Sequence, residues 1–199
     1  PQSYPPDGAI YYFREWSDGG GFGHCHSVGA TNVTITCYYD SLKSGFAVQD
    51  APPAEVCAGS IIDVSVTMTN SGSLEWTAWD NLYLWSQNPP MNDIWGISEV
   101  EFEGSAVLPG ETHTFEFTVT APSAPGDYIF QWQMGKAGIS FLGEQTDPVT
   151  VTVQAKPTAT ATNGGSYCQN EVAELSGGPD GMMSYTWSGP GGFTSTEQS

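Results

Sequence analysis

Basic side chains are the scarcest charged group in this sequence: 4 Lys and Arg stand against 22 Asp and Glu, for a net charge of -18 over 199 residues. A nucleic-acid binder displaces counterions from phosphates with a basic face, so this balance argues against that class. It also disfavours docking on an anionic membrane leaflet. No apolar run reaches the roughly 18 residues of a spanning helix, so no membrane span is expected. No charged-then-apolar leader follows Pro1, which reads as a signal peptide already removed or never included. Histidine is rare, with 3 residues, and 4 cysteines form no CxxC pair, so zinc-ribbon and thioredoxin-like readings have no support. No Gly-x-Ser-x-Gly elbow occurs. A Ser-His-Asp triad has little to draw on, because two of the three His flank Cys25. The Gly runs at 19–21 and 191–192 open no helix and read as turns rather than phosphate cradles.

Helical patterning is also nearly absent. No 12-residue window keeps an i, i+3, i+4, i+7 apolar stripe free of Gly, Pro or β-branched residues. Short alternating runs recur instead. Residues 61–69 place Ile62, Val64, Val66 and Met68 on one face. Residues 114–120 do the same with Phe115, Phe117 and Val119, residues 128–134 with Tyr128, Phe130, Trp132 and Met134, and residues 149–153 form a further strand. Turn signals separate them at Asn70-Ser71-Gly72, Asn88-Pro89-Pro90, Leu108-Pro109-Gly110 and Ala124-Pro125-Gly126-Asp127. The expected fold is therefore all-β, a sandwich with partial β modules on either side.

Four segments are expected. Residues 1–50 form a β-rich segment with strands near 10–16 and 33–39. Residues 51–154 hold about seven strands, the content of one sandwich. Residues 155–165, rich in Thr and Ala, read as a linker. Residues 166–199 begin a new strand pattern too short to close a core alone. Cys57 and Cys168 each precede the first strand of a unit, which hints at tandem modules.

Cys25 and Cys37 flank a turn-like stretch, and a hairpin centred on Thr31 would set them facing each other as disulfide candidates; other pairings stay open. Asn32-Val33-Thr34 is a glycosylation sequon, making Asn32 a modification candidate. Sparse Lys, abundant Thr, Ser and Gly, and turn-flanked Cys favour an extracellular or cell-surface setting.

The middle segment resembles a known family. Asn70-Ser71-Gly72, Trp76-Thr77-Ala78, Ser86-Gln87-Asn88-Pro89, Trp95-Gly96, Pro109-Gly110-Glu111, Pro125-Gly126-Asp127-Tyr128 and Phe130-Gln131-Trp132-Gln133-Met134 follow one another in the order of the four-tryptophan (FW) domain. That family is widespread in microbial secreted and surface proteins. The resemblance covers residues 52–154 and implies an immunoglobulin-like β-sandwich with no catalytic centre. Cys168, Leu175, Tyr185-Thr186-Trp187 and Gly191-Gly192-Phe193 resemble the opening half of a second immunoglobulin-like surface repeat.

Among candidate sites, His24-Cys25-His26 has the i, i+2 spacing of a metal pair but lacks further ligands, and reads as a loop beside a disulfide. Asp80-Asn81 and Asn92-Asp93 are loop oxygens that make calcium the one candidate cofactor. Glu99, Glu101 and Glu103 alternate with Val100 and Phe102 and read as a solvated strand face rather than a glycosidase pair. Trp76, Trp95 and Trp132 are expected in the core. Trp79, Tyr83 and Trp85 form a candidate aromatic platform for a sugar ring or partner, set against a plain covering role at the sandwich end.

The expected function is a non-enzymatic, extracellular structural or adhesive protein of immunoglobulin-like modules. Self-association or neighbouring modules would be its partners, in a surface layer or filament completed by strand exchange. The alternative is an accessory carbohydrate- or protein-binding module of a larger secreted enzyme.

Overall fold

The runs that alternate in sequence become strands whose apolar side chains point one way. The computed structural model describes residues 8–17, 19, 34–156, 158–163, 175–181, 184–189 and 192–196. These fall into two compact units, the first ending at Gln154 and the second starting at Ala155. The strands of the first unit are β1 Ile10–Trp16, β2 Cys37–Leu42, β3 Ser44–Asp50, β4 Glu55–Cys57, β5 Ile61–Asn70, β6 Leu82–Ser86, β7 Glu99–Glu101, β8 Thr112–Thr120, β9 Gly126–Phe130, β10 Trp132–Lys136, β11 Ser140–Gln145 and β12 Val149–Gln154. A 3-10 turn at Ala78–Asp80 precedes β6.

One sheet has the order β3-β5-β8. The opposite layer combines β4-β12-β9 with β11-β10-β6-β7. These two parts continue each other. β9 and β10 are halves of one strand path broken at Gln131, whose carbonyl accepts the Gln87 N–H at 2.9 Å and whose side-chain amide donates to Thr146 O at 2.7 Å. The Trp132 N–H turns to the Thr146 hydroxyl at 3.0 Å. β4 runs parallel to β12 and the remaining pairs are antiparallel. This is the all-β immunoglobulin-like sandwich that the residues 52–154 implied.

The core lies between the layers. Val64, Val66 and Met68 of β5 and Phe115 and Val119 of β8 meet Leu82, Leu84, Phe130, Trp132, Met134 and Val151. Trp76, Trp95 and Trp132 are all buried, as expected. The Trp132 ring meets Phe117 from the other layer with centroids 4.9 Å apart. The Trp95 Nε1–H donates to the Ile129 carbonyl at 3.0 Å.

The turn motifs hold strand ends in place. The buried Asn70 side chain donates to the carbonyls of Leu74 and Val107 at 2.8 and 2.9 Å and accepts the Gly72 N–H at 3.1 Å. A Cβ on Gly72 would stand 2.4 Å from Ser41 O, so only glycine fits this turn.

Residues before 51 contribute to the sandwich. β3 pairs with β5 from Ser44 opposite Asn70 to Asp50 opposite Ser65. The β1–β2 hairpin sends Ile10 and Leu42 into the common core. β2 begins at Cys37, and its register with β1 places Cys37 opposite Trp16. Cys25 and Asn32 lie outside the described residues, as do His24, His26 and Cys168; Cys37 and Cys57 carry free thiols.

The second unit contains β13 Thr160–Asn163, β14 Leu175–Gly178, β15 Trp187–Gly189 and β16 Phe193–Ser195. β13 pairs with β14 and β15 with β16, both antiparallel. β13 falls within the stretch expected to be a linker. Its β-branched threonines alternate with alanine, a pattern that pairs as readily as it links.

Candidate functional site

Period two along β6 decides which aromatics face outward. Leu82 and Leu84 are buried in the core, so Tyr83 and Trp85 stand on the opposite face of the sheet. The register builds two rows across that face. Glu99, Trp85, Gln133 and Gln145 form one; Glu101, Tyr83, Gly135 and Phe141 form the other.

The rows interlock. Tyr83 and Trp85 stack with centroids 5.6 Å apart and planes 19° apart. Phe141 meets Trp85 edge-on at 5.7 Å. The Trp85 Nε1–H donates to Glu99 Oε2 at 2.8 Å. Trp85 lies over Gly135, where an added Cβ would come within 2.3 Å of the indole ring. The absent side chain is therefore what lets the ring lie flat on the sheet. In the first row, Gln145 Nε2 donates to Gln133 Oε1 at 3.3 Å, and Gln133 Nε2 donates to Gly143 O at 2.9 Å. The charge of Glu101 raises the Tyr83 phenol above its ordinary value; burial, a hydrogen bond to Glu101 and the charge of Glu99 add to it.

A cleft of about 340 Å³ opens beside the stack, lined by Trp85, Met91, Lys136, Ile139 and Phe141. Met91 is 55% exposed and sits at φ 58, a backbone region unfavourable for an unbranched L-residue. The loop around it is held by side chains. Asn92 Nδ2 donates to Gln87 O at 2.9 Å, the Ile94 N–H donates to Asn92 Oδ1 at 3.0 Å, and the Met91 N–H donates to Ser86 O at 2.8 Å.

Of the three expected platform residues, the structure brings two together. Tyr83 and Trp85 stack, but Trp85 is only 5% exposed, so it supports the face more than it presents it. Trp79, 92% exposed on the 3-10 turn, makes no ring contact among the described residues. Phe141, Met91 and the glutamine row were not singled out in the sequence. Phe141 had a usable signal, its alternation with the buried Leu142; Met91, inside a Pro-Pro-Met-Asn loop, had none.

Of the loop oxygens considered for calcium, those of Asp80 and Asn92 have protein partners. Asp80 Oδ2 accepts from the Thr77 N–H and hydroxyl at 2.9 and 2.8 Å, and Oδ1 meets Lys136 Nζ at 3.2 Å. Burial pushes the Asp80 carboxyl up, but the Thr77 hydrogen bonds and Lys136 outweigh it and hold it below its ordinary value. Among the described residues, no group of three or more His, Cys, Asp or Glu is arranged to hold a metal. Glu99 and Glu101 are exposed beside a half-buried Val100, on the solvated face expected of them.

Residues 51–154 match the family described as the Ig-like domain from next to BRCA1 gene. The chain belongs to this family. The match covers β4 to β12, and within it Asn70 and Trp95 tie neighbouring segments together through their bonds to Val107 O and Ile129 O. The match is to an Ig-like domain in general terms, broader than the four-tryptophan domains of microbial surface proteins. An Ig-like sandwich is typically a non-catalytic module. No curated protein matches the chain. No helix among the described residues is long and apolar enough to cross a membrane.

Proposed function

We propose that this chain is a non-enzymatic adhesive module of an extracellular or cell-surface protein, of the four-tryptophan type found in microbial surface proteins. It binds carbohydrate through the outward face of the β6, β7, β10 and β11 sheet. The observation that carries this reading is the pair of rows on that face. Tyr83 and Phe141 offer apolar ring surface to the C–H face of a sugar, and Glu99, Glu101 and Gln145 offer acceptors and donors to its hydroxyls. Trp85, buried beneath and fixed by Glu99, keeps the rings in place before a ligand arrives, which lowers the ordering cost of binding. A glycan array with the purified chain tests this. Tyr83→Ala and Phe141→Ala are each expected to weaken binding about tenfold, or 1.4 kcal/mol. A wild-type chain that captures no glycan removes the reading.

The second reading is a subunit of a surface layer or filament completed by strand exchange, with calcium bridging acidic neighbours. It is favoured by the edge of β8, which pairs with β5 on one side only. Electron microscopy at high protein concentration, with and without calcium, tests it; monomers throughout remove it.

A further inference from the structure

The first sheet stops at β8, with no strand beyond it among the described residues. A constant-type immunoglobulin sandwich has four strands, ABED, in this sheet. Here β3, β5 and β8 fill three places, and β7 pairs with β6 in the other layer instead. Among the described residues, β8 is therefore the edge of this sheet.

Backbone direction along β8 follows from its end. The Ala121 N–H donates to Ser60 O on the β5 side, whereas the Thr120 N–H donates to Trp95 O on the other. An antiparallel ladder alternates, so Phe115, Phe117 and Val119 bond to β5. Thr112, Thr114, Glu116 and Thr118 therefore aim their N–H and C=O groups at the open edge.

The other edges of the two sandwich layers are blunted in the ways sheet proteins use. β7 is three residues long and carries Glu99 and Glu101; β4 is equally short. β3 has a register shift between Phe46 and Val48, and Gly143 closes on its Ser44. β11 receives Gly8, whose carbonyl takes the Gly143 N–H, and β9 gives the Ile129 carbonyl to Trp95. β8 is nine residues with an unbroken register from Thr112 to Thr120, no proline and Glu116 as its one carboxylate.

We propose that the β8 edge is a self-association site, where β8 of a second copy of this chain pairs antiparallel about a two-fold axis. This rests on the assembly reading above. Only residues that aim their backbone groups outward can exchange hydrogen bonds, and this limits the register. A register centred on Glu116 would set the two Glu116 side chains against each other. One centred on Phe117 would need the Thr120 N–H, which Trp95 already holds. The register centred on Phe115 pairs Thr112 with Thr118, and Thr114 with Glu116, of the other copy. Each carboxylate then faces a hydroxyl. Thr114 Oγ1 lies 2.8 Å from Thr67 Oγ1, and with Thr67 as donor the Thr114 proton is left for that carboxylate. This match of acid to hydroxyl across the axis favours a second copy over an arbitrary strand. Asp50, Asp63 and Glu116 share one outer face beside the edge, so like charges oppose the approach and salt screens them.

The test is light scattering of the full chain at millimolar concentration across a salt series, with Glu116→Pro as the blocking variant. The Glu116 N–H faces the open edge, so proline there removes no bond to β5. A dimer that tightens with salt is expected, weakened at least tenfold by Glu116→Pro while circular dichroism stays unchanged. Amide exchange at residues 112–118 of the wild type, slow when concentrated and fast on dilution, gives the same answer without a variant. A chain monomeric under every condition overturns both the assembly reading and this site. A dimer indifferent to Glu116→Pro, with no concentration-dependent protection along β8, overturns the site alone. Capture of an added lysine-bearing extended peptide by β8 of an otherwise monomeric chain overturns the choice of occupant.

Discussion

The two layers of the sandwich share one core and present opposite chemistry to solvent. The outer face of β3-β5-β8 carries Asp63, Ser65, Thr67, Thr114, Glu116 and Thr118, small polar side chains paired across strands; the Thr118 hydroxyl, for example, donates to Asp63 at 2.9 Å. The outer face of β11-β10-β6-β7 carries Tyr83, Trp85 and Phe141 between carboxylates and glutamines. The first layer has a plain face and a long open edge; the second has a furnished face and short, charged edges. The inward residues answer a common demand for close packing, so they reveal the fold. The outward residues are free of that demand, so their differences point to function.

The comparison fails first if the shared core fails. Trp132→Ala removes a ring that touches Phe117 of one layer and Phe130 of the other, and is expected to cost about 3–5 kcal/mol. Urea unfolding measures this, and both faces should lose structure in one transition. A parallel glycine substitution separates the layers. Gly135→Ala drives a Cβ into the Trp85 ring and should cost about 1–3 kcal/mol, with a shift in tryptophan emission as the ring is displaced. Gly45→Ala in β3 meets nothing closer than 3.7 Å and should stay within about 0.5 kcal/mol of the wild type. Similar melting curves for the two would break the contrast.

Carboxylates on the two faces should also differ. Glu99→Ala leaves the buried Trp85 N–H without its acceptor, at about 1 kcal/mol. Glu116→Ala removes no hydrogen bond that holds the monomer and should leave its melting temperature unchanged. The smallest effect is on pH dependence. His113 is packed between Phe102 and Phe115, and burial lowers it below its ordinary 6.5. The unfolded chain therefore takes up this proton first, and stability falls as pH drops below 6.5 toward the folded value. Melting temperature between pH 7 and 5, compared with His113→Gln, measures it; the variant should show a flatter profile.

The fold was legible because its strands have one buried face. Val64, Val66 and Met68, or Phe115 and Val119, announce themselves by period two. The contribution of β3 was not legible: Gly45, Ala47 and Gln49 give it no clean alternation, and its membership comes from pairing with a distant β5. Half of the candidate site was legible. Tyr83 and Trp85 alternate with leucines and so share a face, but Trp79 sits on a 3-10 turn where strand period does not apply. Phe141, Gln133 and Gln145 join them only through cross-strand register, which a single strand does not encode.

The most direct test of the binding face is one glycan array run in parallel on the wild type, Tyr83→Ala and Glu116→Pro. Binding by the wild type and Glu116→Pro, with Tyr83→Ala weakened about tenfold, is the predicted result. Equal binding by the wild type and Tyr83→Ala, or none by the wild type, would contradict it.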